Sequence, residues 1–178
     1  MTLRALFSVF LLLCWTEAAV AQSSSPVRVR VLDSQQPTSV TVKATGGDLR
    51  VHLPETSAPV MRLRPGESAT LSLRGPEVAI KRDADGIYAS SLDIQPDDGV
   101  AWTLASGDIT RTYTGPLHVE ADGRHLQLVN HAPLDDYVAS VVAAEYGFED
   151  LEGSKAMAVV ARTYGIRAST KFDTGDYD

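Results

Sequence analysis

The chain has 178 residues, a formal net charge of −7, 44% hydrophobic residues and one cysteine. Net acidity without clustered cations excludes a nucleic-acid binder, whose phosphate contacts need grouped Lys and Arg. It also gives no electrostatic pull towards anionic wall polymers, so recognition there has to rest on shape and hydrogen bonds.

Residues 1–21 have the pattern of an export signal. Arg4 supplies a positive start, Ala5 to Cys14 an apolar run, and Ala19-Val20-Ala21 a small-residue cleavage site before Gln22. The apolar run is too short for a membrane span. Localisation is expected to be periplasm, cell wall or outside the cell. Cys14 also fits the start of a lipoprotein anchor, but Leu13 stands where such signals carry a small residue. Removal of 1–21 leaves a mature chain with no cysteine, hence no disulfide, thiol nucleophile or thiolate metal site.

Residues 22–26 form a Ser-rich linker. From 27 to 110 the pattern is strand and turn. Val27 to Leu32 alternates apolar and basic residues, and similar runs follow at Val40–Lys43, Leu49–Leu53, Ala69–Leu73, Val78–Lys81 and Val100–Leu104. Turn signals separate them at Gly46-Gly47, Pro65-Gly66, Asp85-Gly86 and Asp98-Gly99. Spacings near ten residues predict a β-rich sandwich or barrel-like module. Leu117 to Leu128 is the clearest hairpin, with Asp122-Gly123 at its tip. The fold class is therefore α+β, a β-rich module followed by a helical pair.

Helical periodicity begins after His131-Ala132-Pro133. Leu134, Val138, Val141, Val142 and Glu145 fall on one stripe of a first helix, with Asp135 and Asp136 in its first turn. Glu145 thus occupies a position its periodicity assigns to the core. Burial there makes a carboxylate costly to ionise, the preparation a general acid needs. A second helix is expected over Gly153–Ala168. It is apolar nearly all round from Ala156 to Ala161 and so reads as a buried helix. Little sequence follows Phe172 to cover it, so the chain is expected to be an N-terminal fragment of a longer protein, with an apolar patch exposed on this helix.

These residues carry a family resemblance. LDDYVASVVAAE followed by SKAMAVVARTYGIRA resembles the core of the SpoIID/LytB family, the stage II sporulation protein D group. Arg111 to Leu117 and Val129-Asn130 resemble the strands that precede that core, so residues 111–178 look like the opening of a SpoIID-like domain. The resemblance implies a peptidoglycan lytic transglycosylase, or a non-catalytic wall-binding partner that stimulates a cell-wall amidase. It places the catalytic acid/base on Glu145. One carboxyl group then serves both steps: it protonates the glycosidic oxygen, and as carboxylate it takes the proton of the sugar's C6 hydroxyl. The chain departs from the family in having Tyr146-Gly147-Phe148 where Met-Pro is usual.

Other residues are weighed beside Glu145. Arg162, alone in an apolar helix, has to be paired; it either meets substrate or ties helix ends together. Lys155 and Tyr164 lie at family positions, but read equally as a solvated first-turn lysine and a core ring. Tyr146 and Phe148 can stack on sugars or anchor the turn, and Tyr137 reads as a packed ring. Asp83-Ala84-Asp85-Gly86 lacks the later ligands of a calcium loop and reads as a hairpin turn. His118 and His125 can face each other across the hairpin, yet two ligands make no zinc site. No metal or cofactor is therefore expected.

Overall fold

A computed structural model describes residues 25–83, 85–146 and 150–172. The export signal, Cys14, most of the linker and Phe148 lie outside the described residues. Twelve strands are formed among those described: β1 (Val27–Arg30), β2 (Ser39–Ala44), β3 (Leu49–His52), β4 (Met61–Leu63), β5 (Ser68–Arg74) and β6 (Glu77–Arg82). They continue as β7 (Asp85–Ala89), β8 (Ser91–Pro96), β9 (Trp102–Ser106), β10 (Ile109–Tyr113), β11 (Leu117–Ala121) and β12 (Leu126–Ala132). Two helices follow, α1 (Leu134–Glu145) and α2 (Leu151–Phe172).

The strands make two six-stranded antiparallel sheets, ordered β1-β12-β11-β8-β3-β4 and β10-β9-β2-β5-β6-β7. Alternation explains why they pack face to face. Val40, Val42 and Ala44 of β2, Leu92 and Ile94 of β8, and Leu117 and Val119 of β11 point inward at every second position, and all are buried. Trp102 is the largest fully buried side chain of this core. The core is shared by strands on both sides of residue 110. The expected sandwich and the β11–β12 hairpin are present, and of the calcium-like stretch Asp83 follows β6 at φ +56° while Asp85 and Gly86 open β7, paired with Arg82 and Lys81.

The helices have a smaller core of their own. Val27 of β1, Leu134, Val138 and Val142 of α1, and Ala161 of α2 are buried together, and Val29 packs against both this cluster and the main one. The helices run antiparallel. Early α2 meets late α1, where a Cβ on Gly153 would overlap the Tyr146 ring. Late α2 meets early α1, where Gly165 lies against Tyr137 and Leu134. These two glycines let the helix backbones approach.

The structure corrects the expectation that α2 is buried all round. Ala161 and Gly165 are buried, whereas Val159 (66% exposed), Val160 (63%) and Tyr164 (67%) face outward. Tyr164 is thus a surface ring rather than a core one. The apolar patch expected around 156–161 is present, and it predicts that the chain binds a hydrophobic dye and tends to associate. A monodisperse monomer that leaves the dye dark would contradict this.

Candidate functional site

The seat of α1 is a three-residue turn, Thr114-Gly115-Pro116, that carries the chain from the second sheet to the first. Gly115 is at φ +75°, and a Cβ there would lie 2.3 Å from the carbonyl oxygen of His131. Only glycine fits both conditions. Three hydrogen bonds from two side chains fasten the turn: Trp102 Nε1 donates to Gly115 O at 2.9 Å, and Asn130 Nδ2 donates to Thr114 O (2.9 Å) and Pro116 O (3.1 Å). Thr114 Oγ1 then donates to Asp136 Oδ2 at 2.6 Å, tying the turn to the first turn of α1.

Asn130 is the buried polar side chain of this region, and sequence reasoning gave it no role. The signal was present, since Leu126, Leu128, Asn130 and Ala132 share the inward phase of β12. An amide in that phase needs acceptors, and the turn carbonyls supply them.

Fixed in this way, α1 forms one wall of an open groove of about 770 Å³. Asp136, Tyr137, Ser140, Val141, Ala144 and Glu145 line that wall. Thr110 to Thr114 of β10 and its turn line the other, and Val29 to Leu32 close one side. Glu145 ends α1 at this groove but is exposed, not buried. Its stripe holds as far as Val142, and the helix stops one turn later. The desolvation argument from periodicity therefore fails, while the position beside a groove stands.

The four candidate residues do not converge. Tyr146 leaves the groove to hold the start of α2: its hydroxyl donates to Asp150 Oδ2 at 2.9 Å, and the ring covers Gly153. This hydroxyl, with the backbone N–H groups of Gly153 and Glu152, holds the Asp150 carboxyl below the usual carboxylate range. Lys155 pairs with Glu152 at 2.8 Å on the exposed first turn of α2. Arg162 Nη2 pairs with Asp135 Oδ1 at the start of α1, about 15 Å along the helix from Glu145 at ~1.5 Å per residue. That contact is the helix-tying alternative, and both partners are at least half exposed.

The histidines also separate. His118 Nδ1 meets Asp93 Oδ1 at 2.8 Å on the outer face of the first sheet, whereas His125 pairs with Asp122 at the hairpin tip. They do not face each other, and no metal-binding group of three ligands occurs among the described residues.

His131 is half-buried on β12, and burial pushes its pKa below the ordinary histidine value. Arg28 and His118 add to this, and Asp93 opposes it. A folded pKa below the unfolded one means the unfolded chain takes up the proton first as pH falls. Stability is therefore complete above the unfolded value of about 6.5 and declines as pH drops through the folded value. His131→Gln is expected to flatten the loss of Tm between pH 7.5 and 5. An unchanged slope would assign that loss to other groups.

Residues 122–178, which include the Asp122 tip, β12, α1 and α2, match the model of the family described as stage II sporulation protein, SpoIID. The match supports SpoIID family membership. No curated protein and no solved structure matches the chain. Both α1, with Glu145 at its end, and the buried Asn130 lie inside the matched segment. Arg111 and Tyr113, on the facing wall of the groove, lie before it. A SpoIID assignment supports a cell-wall-related role. No described helix is long and apolar enough to cross a membrane.

Proposed function

We propose that the protein is exported and cleaves the glycan strands of peptidoglycan by a lytic transglycosylase reaction, with Glu145 as the single acid and base. The observation that carries this reading is the place of Glu145, at the end of α1 on the wall of an open groove and within the SpoIID segment. The carboxylic acid of Glu145 protonates the bridging oxygen as the C1–O bond of the muramic residue breaks. The carboxylate so formed takes the proton of that residue's C6 hydroxyl, and O6 closes on C1 to give a 1,6-anhydro end. No water is consumed, so no second carboxylate is needed to activate one. Arg162, through Asp135, holds α2 against α1 and so keeps the groove wall in place.

Purified glycan strands incubated with the protein should gain anhydro-muramic ends, counted by mass spectrometry, and the mature N-terminus should be Gln22. Reducing ends in place of anhydro ends would overturn the transglycosylase reading. The exposure of Glu145 favours a second reading, a non-catalytic wall-binding partner of an amidase. Stimulation of a separate amidase without new anhydro ends would establish that one.

A further inference from the structure

The groove has a second property that Glu145 does not use: the wall opposite α1 is a free strand edge. β10 ends its sheet and pairs with β9 alone. Gly107 and Asp108 connect the two strands, with Gly107 at φ +55°, so Ser106 and Ile109 close the hairpin as a hydrogen-bonded pair. The phase then alternates. Ile109, Arg111 and Tyr113 bond to β9, whereas Thr110 and Thr112 turn their N–H and C=O groups to the free edge. No backbone hydrogen bond among the described residues reaches them from outside the sheet.

Arg111 sits at the centre of this edge. It is opposite Leu104, whose side chain is fully buried, so the Arg111 side chain is on the inward face and lines the groove. It is exposed and makes no hydrogen bond or ion pair among the described residues. Ile109 and Tyr113 flank it on the same face and are partly buried against the core.

We infer that β10 is a docking edge for an extended protein segment that places a carboxylate opposite Arg111 between two apolar residues. The spacing decides for a peptide over a glycan. Outward backbone groups two residues apart recur at about 7 Å, the repeat of an extended polypeptide that adds a strand. On the free side Arg111 falls in a non-hydrogen-bonded pair, with Cα atoms about 4.5 Å apart, close enough for Asp or Glu to reach the guanidinium. A second copy of this chain is a poor occupant, because antiparallel pairing of two β10 edges centred on Arg111 sets the arginines against each other. The segment enters the groove from the wall that faces Glu145, and its binding is detected without any reaction at Glu145.

The test uses the full chain, labelled with ¹⁵N, and the peptide acetyl-Thr-Val-Thr-Glu-Thr-Val-Thr-amide, beside the same peptide with Lys at its centre. The Glu peptide should shift the Thr110 and Thr112 amide signals, slow their hydrogen exchange and bind about threefold to fivefold more tightly than the Lys peptide. Arg111→Gln should abolish that preference and Arg111→Glu should reverse it. Unmoved Thr110 and Thr112 amides, or a preference unchanged in both variants, would overturn the inference. So would a chitin tetrasaccharide that shifts these amides when the peptide does not, since the edge would then belong to the glycan.

Discussion

Glu145→Gln is expected to abolish the formation of anhydro-muramic ends while leaving the protein folded. The amide is nearly isosteric with the acid, but its N–H protons are far too weakly acidic to be transferred to a leaving oxygen. Removal of a general acid/base costs on the order of a hundred- to ten-thousand-fold in rate. The structure makes the experiment clean. Glu145 is exposed, at the last turn of α1, so the substitution should move stability by no more than about 0.5 kcal/mol, the usual range for surface changes. Binding of glycan should persist in the Gln variant. Wild-type turnover in that variant, measured on purified strands, would remove Glu145 from the reaction.

The second large effect concerns the turn that seats α1. Gly115→Ala adds a Cβ 2.3 Å from His131 O and 3.1 Å from Pro133 Cδ, at a backbone φ of +75°. The left-handed conformation costs about 1–2 kcal/mol for a residue with a Cβ, and forced overpacking about 1–3 kcal/mol more. A loss of about 2–5 kcal/mol follows, a large part of a typical domain's stability of about 5–15 kcal/mol. Gly123→Ala provides the comparison. Gly123 has φ +85° but nothing within 4 Å of its would-be Cβ, so only the conformational part applies. Thermal or urea unfolding should show the Gly115 variant markedly less stable than the Gly123 variant. Equal losses would mean that the His131 carbonyl moves aside freely.

Much of this fold is legible in the sequence because burial there follows local period. The inward phases of β2, β5 and β6, the hairpin of β11 and β12, and the start of α1 at Leu134 are all read from alternation or a 3.6-residue stripe. β4 escapes, and β10 is reached only through the family resemblance of Arg111 to Leu117 and not by alternation, for a physical reason. β4 has three residues, of which Leu63 alone is fully in the core, and Thr110, Arg111 and Thr112 of β10 are exposed because the strand lies at a sheet edge. β8 is hidden by Asp93 and a terminal Pro96, although Leu92 and Ile94 alternate correctly. The same limit governs the site. Glu145 is legible from one helix, but its groove exists only because a sheet edge is brought beside that helix. The exposed end of α1 shows the converse error, since a periodic stripe continues on paper after the packing surface has run out.

The platform on which both helices rest has a consequence for how the chain folds. Val27 and Val29 belong to the first strand of the described chain, and that strand is held by β12, with Val27 opposite Ala132. Contacts roughly a hundred residues apart in sequence close slowly, because the loop entropy is lost before the contact is gained. During synthesis β1 leaves the ribosome first yet waits for nearly the whole sandwich before it finds its partner. The helical pair, which needs Val27 and Val29 to cover its apolar stripe, therefore docks only after β1 has found β12. It is also the first to let go when the amino-terminal strand is cut away or displaced.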